Sequence, residues 1–225
     1  RRARGAGEDL LGKALSRLTG NARAEPAAAA RSAAGATPAG IARMVSTAGR
    51  VGLALLQRMA LSVSCEDFIA FMQVPVLVGS AIHQGTLSSA QAAAGAREMN
   101  RTSLFEPMED AEQAASPSES LRHAIYPLVK GEHASSIGPF FSIGRTDGND
   151  CIMPDYAISR KHAAIELRRG AYLLRDNNST NGTFLNGVRV PTRPVEIRDR
   201  DVVSFARYEF TFLWPGSFYA MLKGA

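Results

Sequence analysis

From about residue 124 to residue 213 the chain is cut into short apolar runs closed by turn residues, and this cadence constrains the fold more than any other feature. Phe140-Phe141-Ser142-Ile143 is one run. Ala163–Arg168 follows, and Ala171–Arg175 returns across Arg169-Gly170. Val202–Phe205 and Tyr208–Phe212 close the series, the last alternating cleanly between apolar and polar positions. Two Asn-Gly dipeptides, Asn181-Gly182 and Asn186-Gly187, mark tight turns. Many short strands with no helices between them predict an antiparallel sandwich or barrel.

The preceding residues have a different texture. The pattern predicts an amphipathic helix over 8–19 and another over 41–61. Residues 22–42 are low in complexity, with eleven alanines in 21 positions, and read as a linker or loose helix rather than the organellar targeting segment their Arg-rich composition resembles. Ser64-Cys65-Glu66-Asp67 has the form of a helix N-cap opening a short helix through Met72. Val74–Gly79 is apolar and extended, and its proline suits an edge or a strand start. Residues 88–99 form an alanine-rich helix, and 103–120 a loop or linker. Pro215-Gly216-Ser217 starts a last helix. Four regions result: a helical or disordered Ala/Arg-rich part (1–63), a helical preface and linker (64–123), a β-sandwich (124–214) and a short C-terminal helix (215–225).

At 225 residues, roughly one or two domains' worth, the chain can bury a core without disulfide or metal staples. The two cysteines, Cys65 and Cys151, form no CxxC, which argues against a disulfide framework and for a reducing, cytoplasmic setting. The formal charge of +5 is unevenly spread: residues 1–60 hold ten Lys/Arg against three Asp/Glu, and the rest sixteen against eighteen. The basic character therefore lies outside the strand-rich part, a weak argument for nucleic acid or an anionic membrane. The most apolar stretch, Val51–Cys65, is interrupted by Gln57 and Arg58 and is too short for a membrane span of about 20 residues. No secretion signal is visible. The start at Arg1-Arg2 without methionine fits a fragment of a longer chain.

Motifs for phosphate-loop, dinucleotide, zinc-protease or serine-hydrolase chemistry are missing, and the four histidines show no metal-ligand spacing. Cys151 lies in a strand-rich stretch and reads as core. What remains is three loops between strand-like runs: Ile143-Gly144-Arg145-Thr146-Asp147, Ser159-Arg160-Lys161-His162-Ala163, and Asn178-Ser179-Thr180-Asn181-Gly182-Thr183-Phe184-Leu185-Asn186-Gly187. Together they offer a guanidinium, hydroxyls and side-chain amides, without a general acid or base. That set suits recognition of a phosphate and a peptide backbone rather than bond breaking, so neither enzymatic activity nor a cofactor or metal is expected.

The order Gly-Arg, then Ser-x-x-His, then Asn-Gly-Thr, with Asn149–Asp155 between, resembles the forkhead-associated (FHA) domain over about Ile137–Leu213. Residues 64–225 more broadly resemble bacterial FHA proteins with a short helical preface. The resemblance implies a mainly β sandwich of about eleven strands that binds phosphothreonine peptides through loops at one end. It implies that Arg145 and Ser159 hold the phosphate, that Arg160 and Thr180 add contacts, and that Asn181 holds the ligand main chain. Gly144, Gly182 and His162 would support the site from behind. The function implied is a phosphothreonine-reading adaptor in a Ser/Thr kinase pathway, its partners phosphothreonine-containing proteins, the kinase or its substrates. The alternatives are a phosphate-independent scaffold and self-recognition of a phosphorylated Thr102. One departure from the family pattern is Asp199-Arg200-Asp201, where an arginine replaces the usual turn glycine; a positive φ there would cost about 1 kcal/mol.

Overall fold

The computed structural model describes residues 40–83, 116–130 and 138–224. The helices expected over 8–19 and 88–99, the low-complexity stretch up to residue 39, Thr102 and residues 103–115 lie outside the described residues.

Eleven strands form two sheets among the described residues. They are β1 (Val76–Gly79), β2 (Ile125–Pro127), β3 (Phe140–Gly144), β4 (Cys151–Ile152), β5 (Ala163–Arg168), β6 (Ala171–Asp176), β7 (Thr183–Leu185), β8 (Val188–Arg189), β9 (Val195–Ile197), β10 (Val202–Phe205) and β11 (Tyr208–Leu213). One sheet runs β2-β1-β11-β10-β7-β8 and the other β4-β3-β5-β6-β9. The fold is thus a mainly β sandwich. Paired strands are antiparallel except β3 and β4, which are parallel.

Side-chain alternation builds the core. Tyr208, Phe210 and Phe212 of β11 point into the sandwich with Phe205, Leu77, Tyr126, Ile143, Ile165 and Leu174, all buried. Asn186-Gly187 makes the hairpin between β7 and β8, both residues at positive φ as a type I′ turn requires. Arg169-Gly170 does the same between β5 and β6. Arg200 sits at φ 69°, so the strained backbone expected at Asp199-Arg200-Asp201 is present.

The first sheet is covered on its outer face as well. Val76, Val78, Ile125 and Leu213 point away from the sandwich and meet a helical layer. That layer comprises a 3-10 turn (Gly40–Met44), α1 (Leu53–Ser62), α2 (Cys65–Met72) and the C-terminal α5 (Pro215–Lys223). Leu56, Phe68, Met72 and Phe218 fill the space between, each with no exposed surface. Two shorter helices, α3 (Ser80–His83) and α4 (Pro117–Arg122), flank the end of β1. β1 is therefore buried on both sides, which is why its sequence reads as an unbroken apolar run. It lies between β2 and β11 and not at an edge; Pro75 precedes its first ladder residue. Residues 64–123, expected as a helical preface, thus also supply an interior strand of the sandwich.

Two local expectations are corrected. The helix predicted over 41–61 is broken: the 3-10 turn ends at Met44 and α1 begins only at Leu53. Between them Gly49 takes φ 80°, and a Cβ there would overlap the Asp150 carbonyl oxygen, so the chain lies against the sandwich instead of continuing as a helix. Ile152 N–H donates to the Ala48 carbonyl at 3.0 Å and Val51 N–H to that of Ile125 at 3.0 Å. The end of the stretch 103–120 read as a loop or linker is helical, in a helix that runs Pro117–Arg122. Pro117 occupies the first turn, where its missing N–H costs nothing, and Ser116 caps the helix by accepting from the Glu119 N–H. The α2 cap is as expected, Ser64 Oγ accepting from the Asp67 N–H at 3.1 Å.

A fragment beginning at residue 124 lacks β1 and most of the helical layer, which leaves β2 without a sheet partner, opens one edge of β11 and strips cover from Ile125 and Leu213. Its urea-unfolding midpoint is expected to fall well below that of the full chain, or the transition to lose cooperativity. Equal stability would contradict the role assigned to β1.

Candidate functional site

The strand register places the three loops together. Ile143, near the end of β3, is opposite Ala163 at the start of β5, and Ala163 is opposite Asp176 at the end of β6. The loops after β3, before β5 and between β6 and β7 therefore share one end of the sandwich.

A set of short hydrogen bonds ties them to one another. The first loop joins the second through the Arg145 N–H, which donates to the Ser159 carbonyl at 3.0 Å. Buried Asn149 bridges the same two loops: its Nδ2 donates to the carbonyls of Thr146 at 2.7 Å and Arg160 at 2.8 Å. Gly144 permits this approach, because a Cβ on it would overlap the Arg160 carbonyl oxygen. The Arg160 side chain itself is exposed.

His162 joins the second loop to the third. Its ring has no exposed surface. Nδ1 lies 3.0 Å from the Ser159 nitrogen, which can only donate, so Nδ1 accepts. Nε2 must then carry the proton and donates to the Gly182 carbonyl at 3.1 Å. Burial, the largest influence, holds the imidazole below its usual pKa and outweighs the Gly182 carbonyl and Asp176, which act the other way. The ring is thus a neutral strut of fixed tautomer. Asn181 adds a second tie, its Nδ2 donating to the Ala157 carbonyl at 2.8 Å. No described residue bonds its Oδ1, and the side chain is exposed.

Ser159 and Thr180 meet at the centre. The Thr180 N–H donates to Ser159 Oγ at 3.0 Å and fixes that oxygen in place. The Ser159 hydroxyl proton is held less firmly, since its acceptor, Thr180 Oγ1, is 3.4 Å away, longer than a good O–H···O bond. An incoming anionic oxygen can take that proton without disturbing the loop. Beside them Arg145 is half-buried, its guanidinium carbon 5.2 Å from the centre of the Tyr156 ring. No described carboxylate lies within 4.0 Å of it as a salt-bridge partner. The site presents an oriented guanidinium, a mobile hydroxyl proton and an amide oxygen. These are recognition groups for an anion attached to a polar chain.

Three supporting residues escaped the sequence reading. Asp176 organises the third loop: Ser179 Oγ and Thr183 Oγ1 each donate to its Oδ1 at 2.6 Å, and the Ser179 N–H to its Oδ2 at 3.1 Å. Burial raises its pKa, but these hydrogen bonds outweigh it and keep the carboxyl below its ordinary value. The Asp-x-x-Ser spacing is the available signal, typical of side chains that bond nearby backbone. Asn149 carried no signal beyond its place in the family-like stretch. Tyr156, 93% exposed, carried none, because a lone aromatic before a loop has many readings. Cys151 is 2% exposed, and burial pushes its thiol up to about 12, so it is a core residue rather than a nucleophile. Among the described residues no helix is long and apolar enough to cross a membrane.

The neutral His162 strut makes stability depend on pH. The unfolded imidazole takes a proton near pH 6.5 and the folded one only below that. Its contribution is complete above about pH 6.5 and is lost as the pH falls through the folded-state value. Asp176 loses its own contribution lower, at and below the ordinary carboxylate range. His162→Phe keeps a ring but strands the Ser159 N–H and Gly182 carbonyl, at about 1–3 kcal/mol each. Denaturant unfolding between pH 7.5 and 5 should show a decline in the wild type that the variant, already less stable, lacks.

Residues 141–206 match the family model described as the FHA domain. The ABC transporter ATP-binding/permease protein Rv1747 of Mycobacterium tuberculosis is 40% identical over 70 residues, which cover 31% of this chain and 8% of that protein. The glycogen accumulation regulator GarA of Mycolicibacterium smegmatis is 32% identical over 75 residues, covering 33% of this chain and 46% of that one. The chain thus spans less than half the length of these curated relatives. Among solved structures, the N-terminal FHA domain of S. cerevisiae Rad53p in complex with a phosphothreonine peptide is 26% identical, with 36% of this chain and 71% of that one covered and a TM-score of 0.32. Residues 141–206, the greater part of the β-sandwich, thus match the FHA domain, a module that in the Rad53p structure carries a phosphothreonine peptide.

Proposed function

We propose that the chain is a phosphothreonine-peptide-binding adaptor in a Ser/Thr kinase pathway, acting in the cytoplasm on phosphothreonine-containing proteins. The observation that carries this reading is Arg145, which has no described carboxylate within salt-bridge reach and stands beside a Ser159 hydroxyl whose proton is weakly held. A phosphothreonine brings about −1.5 to −2 charge and several acceptor oxygens at pH 7. The planar guanidinium suits two of those oxygens, and Ser159 supplies a third contact. Thr180 lies within reach of the same group, and exposed Arg160 adds positive charge. Asn181 holds the ligand main chain through Oδ1, the amide atom left over from its tie to Ala157. Gly144, His162 and Gly182 fix the frame. The phosphothreonine peptide carried by the Rad53p FHA domain supports this assignment, and the regulatory name of GarA supports the setting.

Chemistry also explains why such binding is reversible. Hydrogen bonds to charged groups contribute roughly 1.5–3 kcal/mol each, and association and desolvation costs offset much of that. The domain boundaries proposed with this function place the reader within 124–214, with β1 completing its sheet from outside.

Calorimetry with phosphothreonine peptides and their unphosphorylated twins tests the proposal. Binding should require the phosphate, fall about 100-fold or more in Arg145→Ala and about tenfold in Ser159→Ala. Tyr156→Ala should weaken binding less, and Tyr156→Phe should restore it, because the ring face and not the hydroxyl meets Arg145. Binding that ignores the phosphate would replace this reading with a scaffold role for the helical layer.

A further inference from the structure

A cavity of about 300 Å³ borders the third loop, lined by Asp176, Asn178, Ser179, Arg189, Val190, Pro191 and Thr192. The connection after β8 forms its far wall. That connection returns to the ligand end of the sandwich, since the Val190 N–H bonds to the Thr183 carbonyl at 2.9 Å. The Arg189 side chain lies along the third loop: its Nε is 3.3 Å from where a Cβ on Gly182 would stand. Arg189 is exposed, and no described carboxylate comes within 4.0 Å of its guanidinium. Exposed Arg193 follows two residues after Pro191, adding a cation of the same kind. Asp176 also lines the cavity, but both its oxygens accept hydrogen bonds from Ser179 and Thr183. Its charge faces the loop and favours an anion at the rim, beside Arg189, over one at the floor.

We propose that Arg189 at the rim of this cavity is a second anion subsite, which selects phosphothreonine segments carrying a further negative charge, either an acidic side chain or a second phosphate. This inference rests on the phosphothreonine reading of the Arg145 site and names the class of ligand that site prefers. Thr180 sits beside Ser159 and Gly182 beside Arg189, so a single extended segment crossing Thr180-Asn181-Gly182 reaches both. A guanidinium with no carboxylate partner among the described residues suits a bidentate acceptor, carboxylate or phosphate.

The test uses the whole chain and synthetic phosphothreonine peptides of otherwise neutral composition. Each flanking position is replaced in turn by alanine, lysine, aspartate or a second phosphothreonine, and binding is measured at low and moderate salt. At one position or two adjacent ones, aspartate and phosphothreonine should each raise affinity about tenfold over alanine, the scale of one hydrogen bond to a charged group. Lysine there should lower it, and salt should shrink the gain. Arg189→Gln should bind the acidic and alanine peptides equally. If only the second phosphothreonine gains, the ligand is a doubly phosphorylated segment; if aspartate gains as well, an acidic one suffices. Gains at no position, or gains that survive Arg189→Gln, would overturn the subsite while binding lost in Arg145→Ala still upheld the first reading. Failure of every phosphopeptide to bind would overturn both.

Discussion

The candidate site depends on one buried imidazole. His162 accepts from the Ser159 N–H on one side and donates to the Gly182 carbonyl on the other, so one ring sets the spacing of two loops. A ring does this only as a single neutral tautomer: burial favours the neutral form, and the Ser159 N–H fixes Nδ1 as the acceptor. Asn149 repeats the device between the first and second loops, and Asp176 within the third. The outward-facing groups are then free for a ligand because inward-facing groups hold the backbone. Little ordering is left to do on binding, which favours affinity from few contacts.

The same economy of position is visible in the rest of the fold. β1 comes from residues ahead of the matched domain, yet it sits inside the first sheet and gives one face to each of two cores. Leu77 packs between the sheets, while Val76 and Val78 belong to the core beneath the helical layer. The helical layer thus joins the sandwich through a shared strand, on the outer face of the first sheet.

Much of this was legible in the sequence because local rules and the global fold agree. The alternating runs of β5, β6, β10 and β11 and the Asn186-Gly187 turn follow from period and turn chemistry alone. The loop residues were legible as a set, since guanidinium, hydroxyl and amide recur between strands in a family-like order. The break between the 3-10 turn and α1 was not, because its apolar spacing is helical and only the contact of Gly49 with Asp150 interrupts it. Pro117 misled for the opposite reason: a proline marks a helix start as readily as a linker. Asp176, Tyr156 and Arg189 gained meaning only once strands distant in sequence brought them to one end of the sandwich.

The most direct test of the account is a titration followed by amide NMR, adding a phosphothreonine peptide to the isotope-labelled chain. The account predicts that the largest shifts cluster at Arg145, Ser159, Arg160, Thr180 and Asn181, with the His162 ring keeping its Nε2–H tautomer and the amides of α1, α2 and α5 nearly still. Shifts concentrated in the helical layer, or loop amides that do not move at saturating peptide, would contradict it.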